Sequence, residues 1–565
     1  MRAFSFMQAK SNLTFSLLGC FILLLCIFAT NVNAQSVQRQ RPQEWDKLVY
    51  GGRFMDRFLP MPVQGQLTSD VWGADNVIPR YPDNGLEDST WSYWGGNAVL
   101  GDDGKYHLFV CRWREDSNKG HAEWPNSIVV HAVSENPLGP YQVKDTLGRG
   151  HNPELFQLAD GRFVVYVING YYIADRLDGP WEYGNFEFDQ RDRRIIEGLS
   201  NLTFARREDG SYLMVCRGGG VWISETGVSP YNQVTDKRAY PPVEGRFEDP
   251  VIWRTHIQYH MIVNDWYGRI AYYLRSKDGI DWKVEPGEAY LPGIAKHEDG
   301  TFVDWYKFER IKMLQDSYGR PTQAHFAVID TEKKLDKGSD NHSSKHICIP
   351  LTVERLLTIL DTEKISADTK TIRVKIQAED NFNPHTDINI DSLRFGAPEK
   401  VNFGGGCKVL KTEKSGKDLI VIFDGAGNGI TDDNFAAKLL GKTSDGKLLF
   451  GYARLPGVDY NEPALSSRLP VFTKSDNGFD IAIEVQNFGQ VASKQTALKI
   501  VYTKEEKAVD ITKGNIPALK PFEKTTLKLT CSKLFEPGVS YQVKVIIDPD
   551  APKPVILNGK MTPEK

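Results

Sequence analysis

Five times between about residue 90 and residue 335 the chain repeats one pattern: a polar residue, an apolar run, a turn, then a second apolar or aromatic run. In the first copy Asn97 leads residues 98–100 into the turn Asp102-Asp103-Gly104, and an alternating run follows at 106–110. The second copy comprises Asn152-Pro153, residues 154–156, the turn Asp160-Gly161 and residues 163–167. The third places Asn201 before 202–204, Asp209-Gly210 and 212–215. The fourth runs from Arg246 to Trp253 through the adjacent acids Glu248 and Asp249, then resumes at 259–263 without a glycine turn. The fifth takes residues 308–314, Tyr318-Gly319-Arg320 and 324–328. An Asp-Gly pair between two apolar runs predicts a β-hairpin, because glycine accepts the positive φ that a tight turn demands.

The hairpin glycines recur about every 50 residues, once the turn near His256 is counted as the fourth. That period suits a four-stranded blade, so the expected fold is all-β, beginning with a five-bladed β-propeller over residues 84–365. After residue 360 the pattern changes to short β runs such as 372–376 and 419–423, between turns rich in Gly, Asp and Lys. A small β-sandwich is expected over 366–465, followed by a Pro- and Ser-rich linker near 461–470 and a second β-sandwich over 466–565. Residues 35–83 form a lead-in whose Trp45, Tyr50, Phe54 and Phe58 predict a docked segment.

Composition changes the picture in three places. The 69 basic and 73 acidic residues leave a net charge of -4, which offers no electrostatic footprint for nucleic acid. The 12 Trp and 23 Tyr suit propeller cores and sugar faces alike. At the N-terminus Arg2 and Lys10 precede an apolar run over 17–29 and the small-residue site Val32-Asn33-Ala34. That predicts a signal peptide over 1–34, cleaved after Ala34, and a periplasmic or secreted protein. Leu17-Leu18-Gly19-Cys20 imitates a lipoprotein cleavage box, but the apolar run continues past Cys20, which favours soluble export. No later stretch approaches the roughly 20 apolar residues of a membrane span. Cys111, Cys216, Cys348, Cys407 and Cys531 are widely separated and show neither a disulfide framework nor metal-ligand spacing.

Residues at the head of each inner strand of a propeller converge on one axial pocket. Alignment of the five copies puts Asn97, Asn152, Asn201, Asp249 and Arg310 at one position, preceded by Gly96, His151, Ser200, Glu248 and Glu309. Amides, an acid and a guanidinium in such a setting suit a neutral, hydroxyl-rich ligand. Local capping of strand ends is the competing explanation for each residue alone. Asp249 is the acid at the shared position and the expected base. Glu248 and Glu309 are further catalytic candidates, since a carboxylate beside another has its pKa raised, as a general acid requires. Glu154 shares strand parity with Asn152. Trp94 and Trp266 are candidates to stack on a sugar, and Arg112, His151 and Arg310 to donate hydrogen bonds; an acidic or sulfated sugar follows if either arginine faces the pocket.

These motifs resemble those of the five-bladed glycoside hydrolases of family 43 and their relatives. The resemblance is carried by Asp249-Pro250 and Asn152-Pro153, by the turn Gly179-Pro180-Trp181, and by residues 276–282 with Asp278-Gly279 and Trp282. It covers about half the chain and implies removal of a terminal sugar by an acid and a base carboxylate. Glu197, in Glu197-Gly198-Leu199, resembles that family's third-blade acid, four residues ahead of Asn201. Where the family carries a base and a pKa-setting aspartate, this chain has Asn97 and Asn152, and an amide accepts no proton. His325 falls where some relatives place an axial metal ligand. A lone strand histidine more often belongs to the core, so no metal or cofactor is expected. Residues 481–489, 497–502 and 541–549 resemble the cell-adhesion-related immunoglobulin-like domain of exported bacterial proteins, which makes the last β unit an Ig-like accessory module.

The expected function is that of an exported, exo-acting glycoside hydrolase acting on plant or algal polysaccharide fragments. Two alternatives remain open: an inverting glycoside phosphorylase built around one dominant aspartate, and a carbohydrate-binding propeller whose acids have become Asn97 and Asn152. Oligomeric state has no signature in the sequence.

Overall fold

A computed structural model describes residues 39, 41–195, 198–504 and 506–563. The expected signal peptide lies outside the described residues, as does Glu197. The protein is all-β, and among the described residues the one α-helix is the single turn Pro398–Val401.

Five antiparallel sheets follow one another through residues 91–350. The first holds β1 (Trp91–Leu100), β2 (Tyr106–Arg114), β3 (Ile128–Ser134) and β4 (Gln142–Arg149); the second holds β5 (Glu154–Gln157), β6 (Phe163–Val167), β7 (Gly170–Ala174) and β8 (Glu182–Gly184). The third is built from β9 (Phe188–Asp189), β10 (Thr203–Arg206), β11 (Tyr212–Val215), β12 (Val221–Ser224) and β13 (Tyr231–Gln233), with β9 parallel to β13 at its edge. The fourth contains β14 (Phe247–Arg254), β15 (Tyr259–Asp265), β16 (Ile270–Ser276) and β17 (Lys283–Tyr290), and the fifth β18 (Lys307–Gln315), β19 (Pro321–Ile329) and β20 (Ser344–Pro350).

The pairs β1–β2, β5–β6, β10–β11, β14–β15 and β18–β19 form the hairpins that the repeat predicts. At the fifth hairpin the glycine is obligatory: Gly319 has φ 76°, and a Cβ there would lie 2.1 Å from the carbonyl oxygen of Arg254. The fourth hairpin does without one and closes through the Thr255 amide, which donates to the Gln258 carbonyl at 3.0 Å.

The leading strands face one another. β1 lies beside β5 and β18, β10 beside β14, and β14 beside β18. Glu154 of β5 reaches β10, accepting from the Thr203 hydroxyl at 3.1 Å and the Phe204 amide at 3.0 Å. Apolar clusters fill the spaces between successive sheets, so the central strands β2, β6, β11, β15 and β19 are buried on both faces and read as nearly continuous hydrophobic runs, whereas the outer strands β4 and β8 are largely exposed. The lead-in is docked: Trp45 and Phe54 enter two of these clusters, and the Leu59 amide donates to the Pro350 carbonyl at the end of the outer strand of the fifth sheet at 2.9 Å.

Beyond residue 356 two pairs of sheets each enclose one core. One is built around Ile372, Val374, Phe395, Val421 and Leu439, the other around Ile481, Ile483, Ile500, Val545 and Leu557. Arg191 joins the third sheet's outer edge to the last pair, donating to Glu484 at 3.0 Å, Gln486 at 3.1 Å and the Ser466 carbonyl at 3.0 Å.

Candidate functional site

A β-bulge marks the head of three leading strands, where the register shifts between Trp94 and Asn97, between Glu248 and Val251, and between Glu309 and Lys312. At the head of all five leading strands the backbone turns left-handed. Asn152, Asn201, Asp249 and Arg310 have φ of 54°, 50°, 52° and 53°, and in β1 the equivalent residue is Gly95, with φ 66°. This corrects the alignment of the first copy, because Asn97 stands two residues farther along its strand. The offset to the hairpin glycine carries the same information: Gly95, Asn152, Asn201 and Arg310 all lie nine residues before Gly104, Gly161, Gly210 and Gly319. Asn and Asp tolerate this conformation and glycine adopts it without strain. Arginine does not, so Arg310 needs strong bonds to hold it.

Those bonds come from Asp249. Its Oδ1 accepts from Arg310 Nη1 at 2.9 Å and from Asn201 Nδ2 at 2.8 Å, while Oδ2 accepts from the Arg310 amide at 3.3 Å. Asn152 Nδ2 donates in turn to Asn201 Oδ1 at 3.0 Å. Asp249 is 4% exposed and Arg310 1%. Asp249, the expected base, is thus buried, and both of its oxygens already carry donors. Arg310, expected to donate to a ligand, is turned to Asp249, although its Nε and Nη2 and the Asn152 Oδ1 have no partner among the described residues.

Two residues farther along the strands stand Asn97, Glu154, Thr203, Val251 and Lys312. Asn97 clasps the next strand, donating to the Leu155 carbonyl at 2.9 Å and accepting from its amide at 2.7 Å. Glu154 forms a buried ion pair with Lys312, whose pKa burial lowers to about 8. Asn97, Glu154, Val251 and Lys312 line a cavity that opens at the hairpin end of the same strands, where Gln157, Arg206, Arg254 and Gln315 complete its wall.

The residues one step before the left-handed position are Trp94, His151, Ser200, Glu248 and Glu309, and here the carboxylates are not all locked away. Glu248 has a side chain 25% exposed, 3.6 Å from Arg217 Nη1. Burial, followed by the Asp249 and Glu309 carboxylates, pushes its pKa up to about 7. Glu309 is buried; its Oε2 pairs with Lys333 at 2.6 Å, and its Oε1 lies 3.6 Å from Lys307 Nζ. Lys307 donates to the Trp266 carbonyl at 2.7 Å and sits 4.7 Å from the centre of the Trp266 ring. Burial lowers its pKa, which Glu309 partly restores. Glu309, Lys307 and Trp266 line one cleft together with Asn264, Tyr290 and Pro292. Asn264 is the cross-strand partner of Glu248, which brings both acids to the same end of the leading strands.

Trp94 is buried, edge-on to His121 with centroids 4.7 Å apart, and the Lys333 ammonium lies 4.6 Å from its ring centre. It packs instead of presenting a sugar-stacking face. His151 bonds Ser127 Oγ at 3.0 Å, and burial holds it well below the usual imidazole range. Arg112 lies on the second strand of its sheet, stacked on Trp91 at 4.0 Å. His325 also lies on a second strand, β19, which removes it from the position of an axial ligand.

No family model and no curated protein matches the chain. Among solved structures, a family 117 glycoside hydrolase of the marine bacterium Zobellia galactanivorans is similar, with 12% identity over 52% of this chain and 90% of that one, at a TM-score of 0.38. An alpha-L-arabinofuranosidase from Lactobacillus brevis is similar at 11% identity, 46% and 91% coverage and a TM-score of 0.33. A thermostable family-43 glycoside hydrolase shows 12% identity, 46% and 93% coverage and a TM-score of 0.30. Similarity at that level fixes neither activity nor site, and both rest on the geometry above.

Chemically, the cleft offers a carboxylate held between lysines and an indole, and Glu248, across the strand from its lining residue Asn264, adds a carboxyl whose pKa is raised to about 7. The cations were missed in the sequence reading. Lys307 had a signal, lying two residues before Glu309 and so on the same face of β18. Lys333 had none, because only the path of the chain after β19 brings it back to Glu309.

Proposed function

We propose that the protein is an exported glycoside hydrolase in which the sheets led by β1, β5, β10, β14 and β18 are the blades of a five-bladed β-propeller. Its catalytic domain spans 84–365, and two β-sandwich modules at 366–465 and 466–565 are accessory, the last Ig-like. The supporting observation is the pair of acids at the heads of neighbouring strands: Glu248, partly exposed and titrating at about 7, and Glu309, paired with Lys333.

In this reading Glu248 donates its proton to the glycosidic oxygen as the C–O bond breaks. Glu309 takes a proton from the water that adds to the anomeric carbon, and both acids re-equilibrate with solvent. Asp249, Asn201, Asn152 and Arg310 brace the floor. Trp266 supplies the face on which the terminal sugar of a plant or algal fragment lies. Lys307, Lys333 and Arg217 favour a sugar carrying a carboxylate or sulfate. One observation favours a second reading, a carbohydrate-binding propeller: Lys333 already occupies one Glu309 oxygen.

The test uses the chain without residues 1–34 and a panel of plant and algal oligosaccharides, neutral and anionic. Wild type is expected to release monosaccharide, and Glu248→Gln and Glu309→Gln each to lower kcat by about 10²–10⁴-fold. Binding without release by wild type selects the binding module. Full activity in both variants sinks the assignment of the acids.

A further inference from the structure

A fully buried cluster lies outside the proposed site, on the side of the fifth sheet that packs against the first. His325 on β19 and Cys348 on β20 are cross-strand partners, and His346 stands two residues before Cys348. Period-2 alternation puts His346 and Cys348 on one face of their strand. All three have no measurable exposure. Their ligating atoms lie within 4.8 Å of one another. The Cys348 sulfur is 3.3 Å from His325 Nδ1.

Both ring nitrogens of His346, and Nε2 of His325, have no hydrogen-bond partner among the described residues. Leaving a buried polar atom unsatisfied costs about 1–3 kcal/mol, so three such atoms in one cluster call for a missing partner. No carboxylate or ammonium among the described residues comes within hydrogen-bond distance of these atoms. Neighbours packed against Cys348 are mostly apolar or aromatic, including Leu86, Tyr93, Leu108 and Tyr141, and the buried Asn84 carboxamide is taken up by the Cys348 backbone. A water molecule would serve the imidazoles but finds in sulfur a weak partner.

We propose that His325, His346 and Cys348 form a binding site for one thiophilic first-row metal ion, cuprous copper or zinc, at the seam between the first and fifth sheets. Imidazole nitrogen and thiolate sulfur are the donors such ions prefer. Metal–nitrogen and metal–sulfur bonds of about 2.0–2.3 Å put ligand atoms about 3.5 Å apart, a small contraction of the cluster. Binding replaces the thiol proton by the metal and releases that proton. Charge balance favours copper: one thiolate and two neutral imidazoles cancel a single positive charge, whereas zinc leaves a net charge in an apolar surround. The ion would pin the seam where the Leu86 amide bonds the His346 carbonyl, at the junction of the segment entering β1 and the last of the five sheets.

The site admits no solvent, so the ion enters as the chain folds. The test expresses the full chain in media supplemented with copper, zinc or cobalt, then measures metal per chain on purified protein. One equivalent of copper or zinc is expected, with a thiolate-to-cobalt charge-transfer band in the cobalt-grown protein. Cys348→Ala should lose the band and at least tenfold of the metal while keeping the β-sheet circular dichroism. Folded wild type with no metal above background from any medium overturns the proposal, as does metal content unchanged in Cys348→Ala. If that variant fails to fold, X-ray absorption on the wild-type protein decides: two nitrogens and one sulfur support the site, and a shell without sulfur overturns it.

Discussion

Replacing Asp249 by Asn separates a brace from a base. The carboxylate holds three donors, Arg310 Nη1 at 2.9 Å, Asn201 Nδ2 at 2.8 Å and the Arg310 amide at 3.3 Å. An amide keeps one oxygen, so its NH2 must face at least one of those donors. It also leaves the guanidinium of Arg310, 1% exposed, without a counter-charge. Breaking a buried pair by removing one partner costs about 3–5 kcal/mol. At about 2–4 °C per kcal/mol for a domain of this size, Tm should fall by roughly 10 °C. Glu248→Gln is the control. Its carboxyl pKa is raised from 4.5 to about 7, so above pH 7 the ionised form costs up to about 3 kcal/mol at 1.4 kcal/mol per unit. The isosteric amide removes that cost, and at pH 8 the variant should be as stable as wild type or more so. Thermal and urea unfolding of the three proteins, alongside hydrolysis rates, provide the assay. An Asp249→Asn protein with wild-type Tm and abolished turnover would refute the brace and return Asp249 to the role of base.

Other consequences are as direct. Hydrolysis by wild type should decline as pH rises through about 7, because the general acid must be protonated, and initial rates from pH 5 to 9 check this. Lys312→Met alone should cost about 3–5 kcal/mol by stranding the Glu154 carboxylate, and adding Glu154→Gln should restore part of it, a coupling that a double-mutant cycle measures. Burial, with Glu115, Asp340 and Asp330 nearby, raises Asp336 from 3.8 to about 8. The folded state thus holds a proton that the unfolded chain has lost, and stability should fall as pH rises from about 4 to about 8. Asp336→Asn should flatten that decline in urea titrations at successive pH values.

The repeat made the hairpins legible because hairpin chemistry is local. Gly104, Gly161, Gly210 and Gly319 mark the turns, and the flanking runs mark the strands. The head of the first strand was misread by two residues because Asn97 imitates the amides of Asn152 and Asn201. The nine-residue offset from Gly104 points instead to Gly95, a residue without a side chain to attract notice. Glu248 and Glu309 were visible as acids, but nothing local said that Asp249, their neighbour in sequence, would be spent on Arg310. Sixty-one residues separate that pair, and only the meeting of β14 and β18 joins them.

The sequence by itself determined the all-β character, the five hairpins and the polar residue types at the strand heads, since turn chemistry and strand periodicity act over a few residues. The tertiary structure decided which acids stay accessible, which cations reach them, and which histidines meet Cys348. Burial and charge pairing depend on neighbours from distant strands, so the same carboxylate becomes a brace or a proton donor according to what the fold places against it.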